Sequence, residues 1–117
     1  MGLKLTSRTV DGIAVLHCSG RIRFGDETSE LRDKFKELLS RHNKIVLDLG
    51  DVSYIDSGGL GTLVGIYSSA KLAGAEVKLA NLTKRIKDAL QITRLGTLFD
   101  FYEGSDQAVA AFRKSAA

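Results

Sequence analysis

The chain has no proline and no tryptophan, and only one cysteine and one methionine in 117 residues. Without proline there are no stiff linkers, and the breaks between segments fall to short Gly, Asp and Asn turns, as in one tight domain. The lone Cys18 excludes an intramolecular disulfide and any multi-cysteine zinc site. It sits in the apolar run IAVLHCS and reads as a small buried hydrophobe. No apolar run approaches the roughly 20 residues of a membrane span. The opening MGLKLTSRTV lacks the apolar core of a signal peptide, so a cytoplasmic location without direct membrane insertion is expected. The net charge of +3 comes from basic residues interspersed with acidic ones. A nucleic-acid binder would concentrate them in a stripe, so nucleic acid is not an expected partner.

What is present is an ordinary globular composition, 44% apolar and 26% charged, enough for a single domain over residues 1–117. LKLTSRTV alternates as a strand with one wet face, and Asp11-Gly12 marks a hairpin into IAVLHCSG, a second and more buried strand. Residues 20–25 read as a loop. Asp26 or Thr28 then caps a helix to about His42, with Leu31, Phe35, Leu38 and Leu39 on one stripe. KIVLDLGDVSYI reads as a central strand covered on both faces.

A Gly-rich helix from Gly58 to about Ala73 follows, with Leu60, Leu63, Val64 and Tyr67 as its large apolar face and Gly61, Gly65 and Ser68 as a small-residue stripe. Helical glycines cost on the order of 1 kcal/mol each, so close packing against the sheet or against a partner must justify them. Gly74 ends that helix and EVKLAN forms another strand. LTKRIKDALQITRLG is a helix capped by Thr83, LFDFY a last strand, and SDQAVAAFRK a final helix with Ser105 as N-cap. The order β-β-α-β-α-β-α-β-α predicts an α/β domain: a mixed, mostly parallel sheet of about five strands with about four helices.

The stretch that carries function is Asp56-Ser57-Gly58-Gly59, where the central strand gives way to the Gly-rich helix. Open α/β sheets place their sites at such strand ends. Ser57 either caps the helix or offers its hydroxyl where a phosphate would meet the positive end of the helix dipole. Asp56 beside it would accept the hydroxyl proton, hold the turn or repel an incoming phosphate. No GxSxG elbow surrounds Ser57, and neither His17 nor His42 has a claim as general base, so hydrolysis or acyl transfer is disfavoured. Gly59, Gly61 and Gly65 miss the dinucleotide spacing and no Walker motif is present, so no cofactor is expected. Lys84, Arg85 and Lys87 read as a solvated helix face or, alternatively, as a patch that steers an acidic partner.

IVLDLGDVSYIDSGGLGTLVG resembles the signature of the anti-sigma factor antagonist family, the STAS domain, whose core is a strand followed by D-S-[ST]-G-L-G. NLTKRIKDALQITRLGTLFDFY and the β-β-α start extend the similarity over nearly the whole chain. The resemblance implies an interaction protein and not an enzyme. Ser57 would be phosphorylated by an anti-sigma factor that is also a serine kinase, and dephosphorylated by a PP2C-type phosphatase; the unphosphorylated form would bind the anti-sigma factor. Asp56 would be the preceding acidic residue and Gly59-Leu60-Gly61 the helix opening.

Two departures stand out. Gly58 replaces the family's common second Ser or Thr, and Arg23, in Gly20-Arg21-Ile22-Arg23, replaces an acidic residue near the switch. Arg23 beside Ser57 would pair with a phosphate where an acid would repel it. The alternative is a constitutive STAS adaptor in a signalling scaffold or transporter complex, with Ser57 only a cap. A small-ligand binder is a third reading.

Overall fold

Strand β1 (Leu3–Val10) pairs antiparallel with β2 (Ile13–Ile22) in a register running from Leu3↔Gly20 to Val10↔Ile13. Asp11 (φ 53°) and Gly12 (φ 80°) make the turn. Both central residues of this hairpin turn need positive φ, which Asp-Gly supplies. The computed structural model describes residues 2–115. From β2 the chain continues through α1 (Asp26–Leu39), β3 (Lys44–Ile55), α2 (Ser57–Leu72), β4 (Glu76–Ala80) and α3 (Lys84–Ile92). A 3-10 turn (Leu95–Leu98), β5 (Asp100–Tyr102) and α4 (Ser105–Ser115) complete it. Strands β2 to β5 are parallel and the sheet order is β1-β2-β3-β4-β5, the mixed α/β architecture that the alternation of elements implies.

Period-2 alternation divides the central strands between two cores. Ala14, Leu16 and Cys18 of β2 and Ile45, Leu47 and Leu49 of β3 face α1, α2 and α3, meeting Leu31 and Phe35, Leu63 and Ile66, and Ile86 and Leu90. The opposite faces, Ile13, Val15, Val46 and Ala80, are covered by Ala108, Val109 and Phe112 of α4. Lys78 on that face is also buried, its ammonium 3.1 Å from both Glu76 and Asp100 and over the rings of Tyr102 and Phe112. Cys18 is fully buried, and burial pushes its thiol up to about 12, consistent with a packing role.

Several boundaries differ from the sequence reading for local reasons. The loop after β2 begins only at Arg23, because β2 stays paired with β3 as far as Ile22↔Ile55. Helix α1 ends at Leu39, short of His42. The Thr28 hydroxyl accepts from the Gly25 N–H at its start, making Gly25 the cap residue. Leu95–Leu98 winds into a 3-10 turn after Arg94 takes a left-handed conformation (φ 61°), so the last strand is cut to Asp100–Tyr102. Ser105 is the first residue of α4, and its hydroxyl accepts from Arg8 at 3.1 Å. Thr83 caps α3 as expected, accepting from the Ile86 N–H.

Helix α2 differs most. It buries Leu60, Leu63, Ile66 and Ala70, while Val64 and Tyr67 are only half-buried, a rotation of the apolar face toward the Ile66 side. Gly61, Gly65 and Ser68 are exposed, and a Cβ added at either glycine would meet nothing within 4 Å. Packing against the sheet therefore does not account for those two. Gly59 is different: its Cβ would stand 2.4 Å from the Ile22 carbonyl oxygen and 2.6 Å from Ile55 Cγ1.

Opposite outcomes follow for two alanine substitutions in one helix. Gly59→Ala should destabilise the protein by roughly 1–3 kcal/mol through steric overlap, and Gly65→Ala should stabilise it by roughly 0.5–1 kcal/mol through helix propensity. Urea unfolding of both variants measures this, and equal effects of the same sign would be inconsistent with the placement of α2.

Candidate functional site

Pairing of β3 with β4 stops at Asp48↔Ala80, whereas its pairing with β2 continues to Ile22↔Ile55 through two register shifts. The carboxyl ends of β2 and β3 therefore project together beyond the neighbouring strands. The loop into α1 and the turn into α2 meet at that tip. Two backbone-directed bonds lock them: the Asp56 N–H donates to the Ile22 carbonyl at 3.3 Å, and the Phe24 N–H donates to the Asp56 carboxylate at 3.1 and 3.2 Å.

The same carboxylate caps α2, Oδ1 accepting from the Gly59 N–H at 2.8 Å. The helix cap is thus Asp56 and not Ser57. Of the three roles open to this carboxylate, the structure shows it holding the turn. The amides of Gly59 and then Phe24 hold it below the ordinary carboxylate range, because both stabilise its charged form. A carboxylate engaged in this way is a poor proton acceptor for its neighbour.

Ser57 is the first residue of α2 and is exposed. Its hydroxyl is offered to solvent at the positive end of a 16-residue helix. The two histidines are engaged elsewhere: His17 lies 2.8 Å from Asp51 and 3.5 Å from Asp48, and His42 Nδ1 lies 3.1 Å from the Gly12 carbonyl. The site has an accessible hydroxyl with a rigid frame and no base of its own. Chemically it is suited to receive a group from a docked enzyme.

Gly58 and Gly59 have separate reasons. A Cβ on Gly58 would stand 2.4 Å from Phe24 Cβ and 3.0 Å from Phe24 Cα, and Gly59 abuts Ile22. Both glycines let α2 start directly against the loop that follows β2. Leu60 turns into the core and Gly61 faces solvent, continuing the open strip along α2.

Arg23 is committed to Glu27. Its Nε and Nη2 donate to the Glu27 carboxylate at 3.1 and 2.9 Å, and its backbone N–H adds a third bond at 2.9 Å. This fork holds Glu27 below the ordinary carboxylate range, the Arg23 side chain being the larger cause. Arg23 borders a cleft together with Phe24, Asp26, Glu27, Glu30 and Asp56, so among the described residues acids outnumber cations there.

Sequence reasoning did not single out Phe24, which is 82% exposed, or Glu27. The i,i+4 spacing of Arg23 and Glu27 was the available signal for the second. Lys84, Arg85 and Lys87 lie on α3 and are all exposed; Lys84 pairs with Asp88 at 3.0 Å and Arg85 lies over the ring of Tyr54, two residues before Asp56. Among the described residues no group of three His, Cys, Asp or Glu side chains is placed to hold a metal, and no helix is long and apolar enough to cross a membrane.

Similar proteins share this framework. The anti-sigma-B factor antagonist of Bacillus subtilis is 37% identical over 79 residues, covering 68% of this chain and 72% of that protein. The crystal structure of an anti-sigma factor antagonist from Mycobacterium paratuberculosis matches with a TM-score of 0.82 at 22% identity, over 95% of this chain and 94% of that one. The anti-sigma factor antagonist SpoIIAA in its unphosphorylated form matches with a TM-score of 0.79 at 17% identity, over 95% of this chain and 97% of that one. The phosphorylated form of SpoIIAA, a Bacillus cell fate determinant, gives 0.70 at 15% identity, over 93% of this chain and 98% of that one. These three structural likenesses speak for the fold. The STAS domain family itself matches residues 4–108, almost the whole described chain, and the chain belongs to it: a STAS domain protein of the anti-sigma factor antagonist family.

Proposed function

We propose that the protein is an anti-sigma factor antagonist that binds a kinase-type anti-sigma factor while Ser57 is unphosphorylated, and lets go when that kinase phosphorylates Ser57. The observation that carries the reading is an exposed serine hydroxyl at the first residue of α2, framed by a turn whose carboxylate is already engaged. The relative SpoIIAA is known in phosphorylated and unphosphorylated forms, which supports a modification switch on this fold. A PP2C-type phosphatase would reset the switch by hydrolysing the phosphoserine.

The physics of the block is local. A phosphate adds about −1.5 to −2 charges at neutral pH, next to Asp56 and a cleft bordered by Asp26, Glu27 and Glu30. Within the domain the α2 N-terminus offsets part of this, by roughly 0.3–1 kcal/mol or more. Arg23 already has Glu27 as partner through Nε and Nη2, so a phosphate would have to share the guanidinium with that carboxylate. In an interface the phosphate must be desolvated or matched by fixed charge, which costs several kcal/mol otherwise. The partner face on this reading comprises Ser57, the loop from Arg23 to Gly25 and the exposed strip of Gly61, Gly65 and Ser68, whose small size permits close approach.

The switch is tested by titrating the anti-sigma factor kinase of the same organism into the wild type, Ser57→Ala and Ser57→Asp in a calorimeter. Ser57→Ala should bind at least as tightly as the wild type, and Ser57→Asp should bind on the order of 100-fold more weakly, the size expected for an unmatched buried charge. Equal affinities would instead favour a constitutive adaptor in which Ser57 has no regulatory part.

The rigidity of the frame has its own pH signature. A carboxylate held below its ordinary range stabilises the fold above the unfolded value near 4 and loses that contribution as pH falls through the folded value. The stability gap between the wild type and Asp56→Asn, read from urea midpoints, should be widest near neutral pH and shrink in acid. A gap independent of pH would mean that the charge of Asp56 does not matter to the turn.

A further inference from the structure

Well apart from Ser57 in sequence, α3, the 3-10 turn and β5 border an open groove of about 420 Å³. Strand alternation explains why it exists. Asp100 and Tyr102 of β5 turn toward Lys78 on the α4 side, so Phe101 between them faces the other way. Its ring stays 42% exposed against Gly96, with Cζ 3.4 Å from where a Cβ on that residue would stand. Leu90 is buried at the floor, Lys87 and Gln91 line the α3 side one helical turn apart, and Arg94 follows just beyond the end of α3. The aliphatic stems of Lys87 and Arg94 extend the apolar wall while their charges stand at its rim.

The charges are one-sided. Among the described residues no carboxylate lines the groove. Lys84 is paired with Asp88 and Lys78 with Glu76 and Asp100, and Arg85 lies over the Tyr54 ring, whereas Lys87 and Arg94 have no ion-pair partner among the described residues. Arg94 is held at the groove's end by its left-handed backbone, not by a side-chain contact. An open trough of this kind leaves a small ligand largely in water, whereas it fits a chain segment laid along it. Two cations are also fewer than the cluster of about four to eight that reads as an anionic membrane site.

We infer that this groove docks an acidic, amphipathic peptide segment of a partner protein, with its apolar side chains on Phe101 and the stems of Lys87 and Arg94 and its carboxylates on the charges of those two residues. The groove shares no lining residue with the cleft bordered by Arg23, Glu27 and Asp56 and does not include Ser57, so on this inference its occupancy does not depend on the state of Ser57.

The test pans a phage-displayed random peptide library on the immobilised full-length protein and maps the enriched peptide by amide chemical-shift perturbation. Enriched sequences should combine Asp or Glu with Leu, Ile or Phe, and the shifts should centre on Lys87, Gln91, Arg94 and Thr97. Binding should weaken about tenfold or more in the double variant Lys87→Glu/Arg94→Glu. It should be retained in Lys87→Arg and unchanged in Ser57→Asp. Both charged positions are exposed, so the variants are expected to keep the wild-type melting curve. No enrichment, peptides without acidic residues, or shifts centred elsewhere would overturn the inference. So would displacement of the peptide by phosphatidylglycerol vesicles or by self-association of the protein, since either would give the groove a different occupant.

Discussion

One carboxylate holds the candidate site together. Asp56 accepts from the Gly59 amide at the start of α2 and from the Phe24 amide in the loop after β2, while its own N–H is bonded to the Ile22 carbonyl. Two loops that are distant in sequence become one surface through it. The arrangement works only because nothing larger than hydrogen stands at positions 58 and 59, where Phe24 and Ile22 fill the space a Cβ would need. The extension of β2 and β3 beyond β4 brings the loops within reach of each other, and Asp56 fixes their register.

That constraint assigns the neighbours their roles. With the capping work done by Asp56, Ser57 has no structural duty visible at its side chain and stays exposed at the positive end of α2. Arg23, which by charge alone looks like a ready phosphate partner, already shares its guanidinium with Glu27 through two hydrogen bonds, with a third from its backbone N–H. A phosphate at Ser57 would add charge to a frame that is already satisfied. Its effect would be felt by whatever docks there, not by the core, whose Leu60, Leu63 and Ile66 contacts lie on the far side of the helix.

Much of the fold was legible because the chain follows local rules consistently. Asp11-Gly12 specified the hairpin, Thr83 and Gly74 marked helix ends, and the aliphatic run of β3 announced a strand covered on both faces. The motif around Ser57 was legible as a position but not as a division of labour. Whether Asp56 or Ser57 capped α2 depended on the loop after β2, 32 residues away in sequence, whose Phe24 amide shares the carboxylate. The glycines of α2 were ambiguous for a similar reason. Gly59 meets the backbone of Ile22, whereas Gly61 and Gly65 meet nothing, and helical periodicity alone cannot distinguish a glycine that is crowded from one that is merely exposed. The shortening of β5 came from the left-handed Arg94, a conformation that an arginine does not advertise.

The central claim is that modification of Ser57 acts by local obstruction on a preformed surface. The most direct measurement is the amide chemical-shift map of the protein carrying phosphoserine at position 57, set against the unmodified protein and paired with its affinity for the anti-sigma factor kinase. The account predicts shifts confined to the start of α2 and the loop from Arg23 to Gly25, an unchanged melting temperature within a few degrees, and loss of binding. Shifts spread through the β2–β3 core, or binding that survives the phosphate, would contradict it.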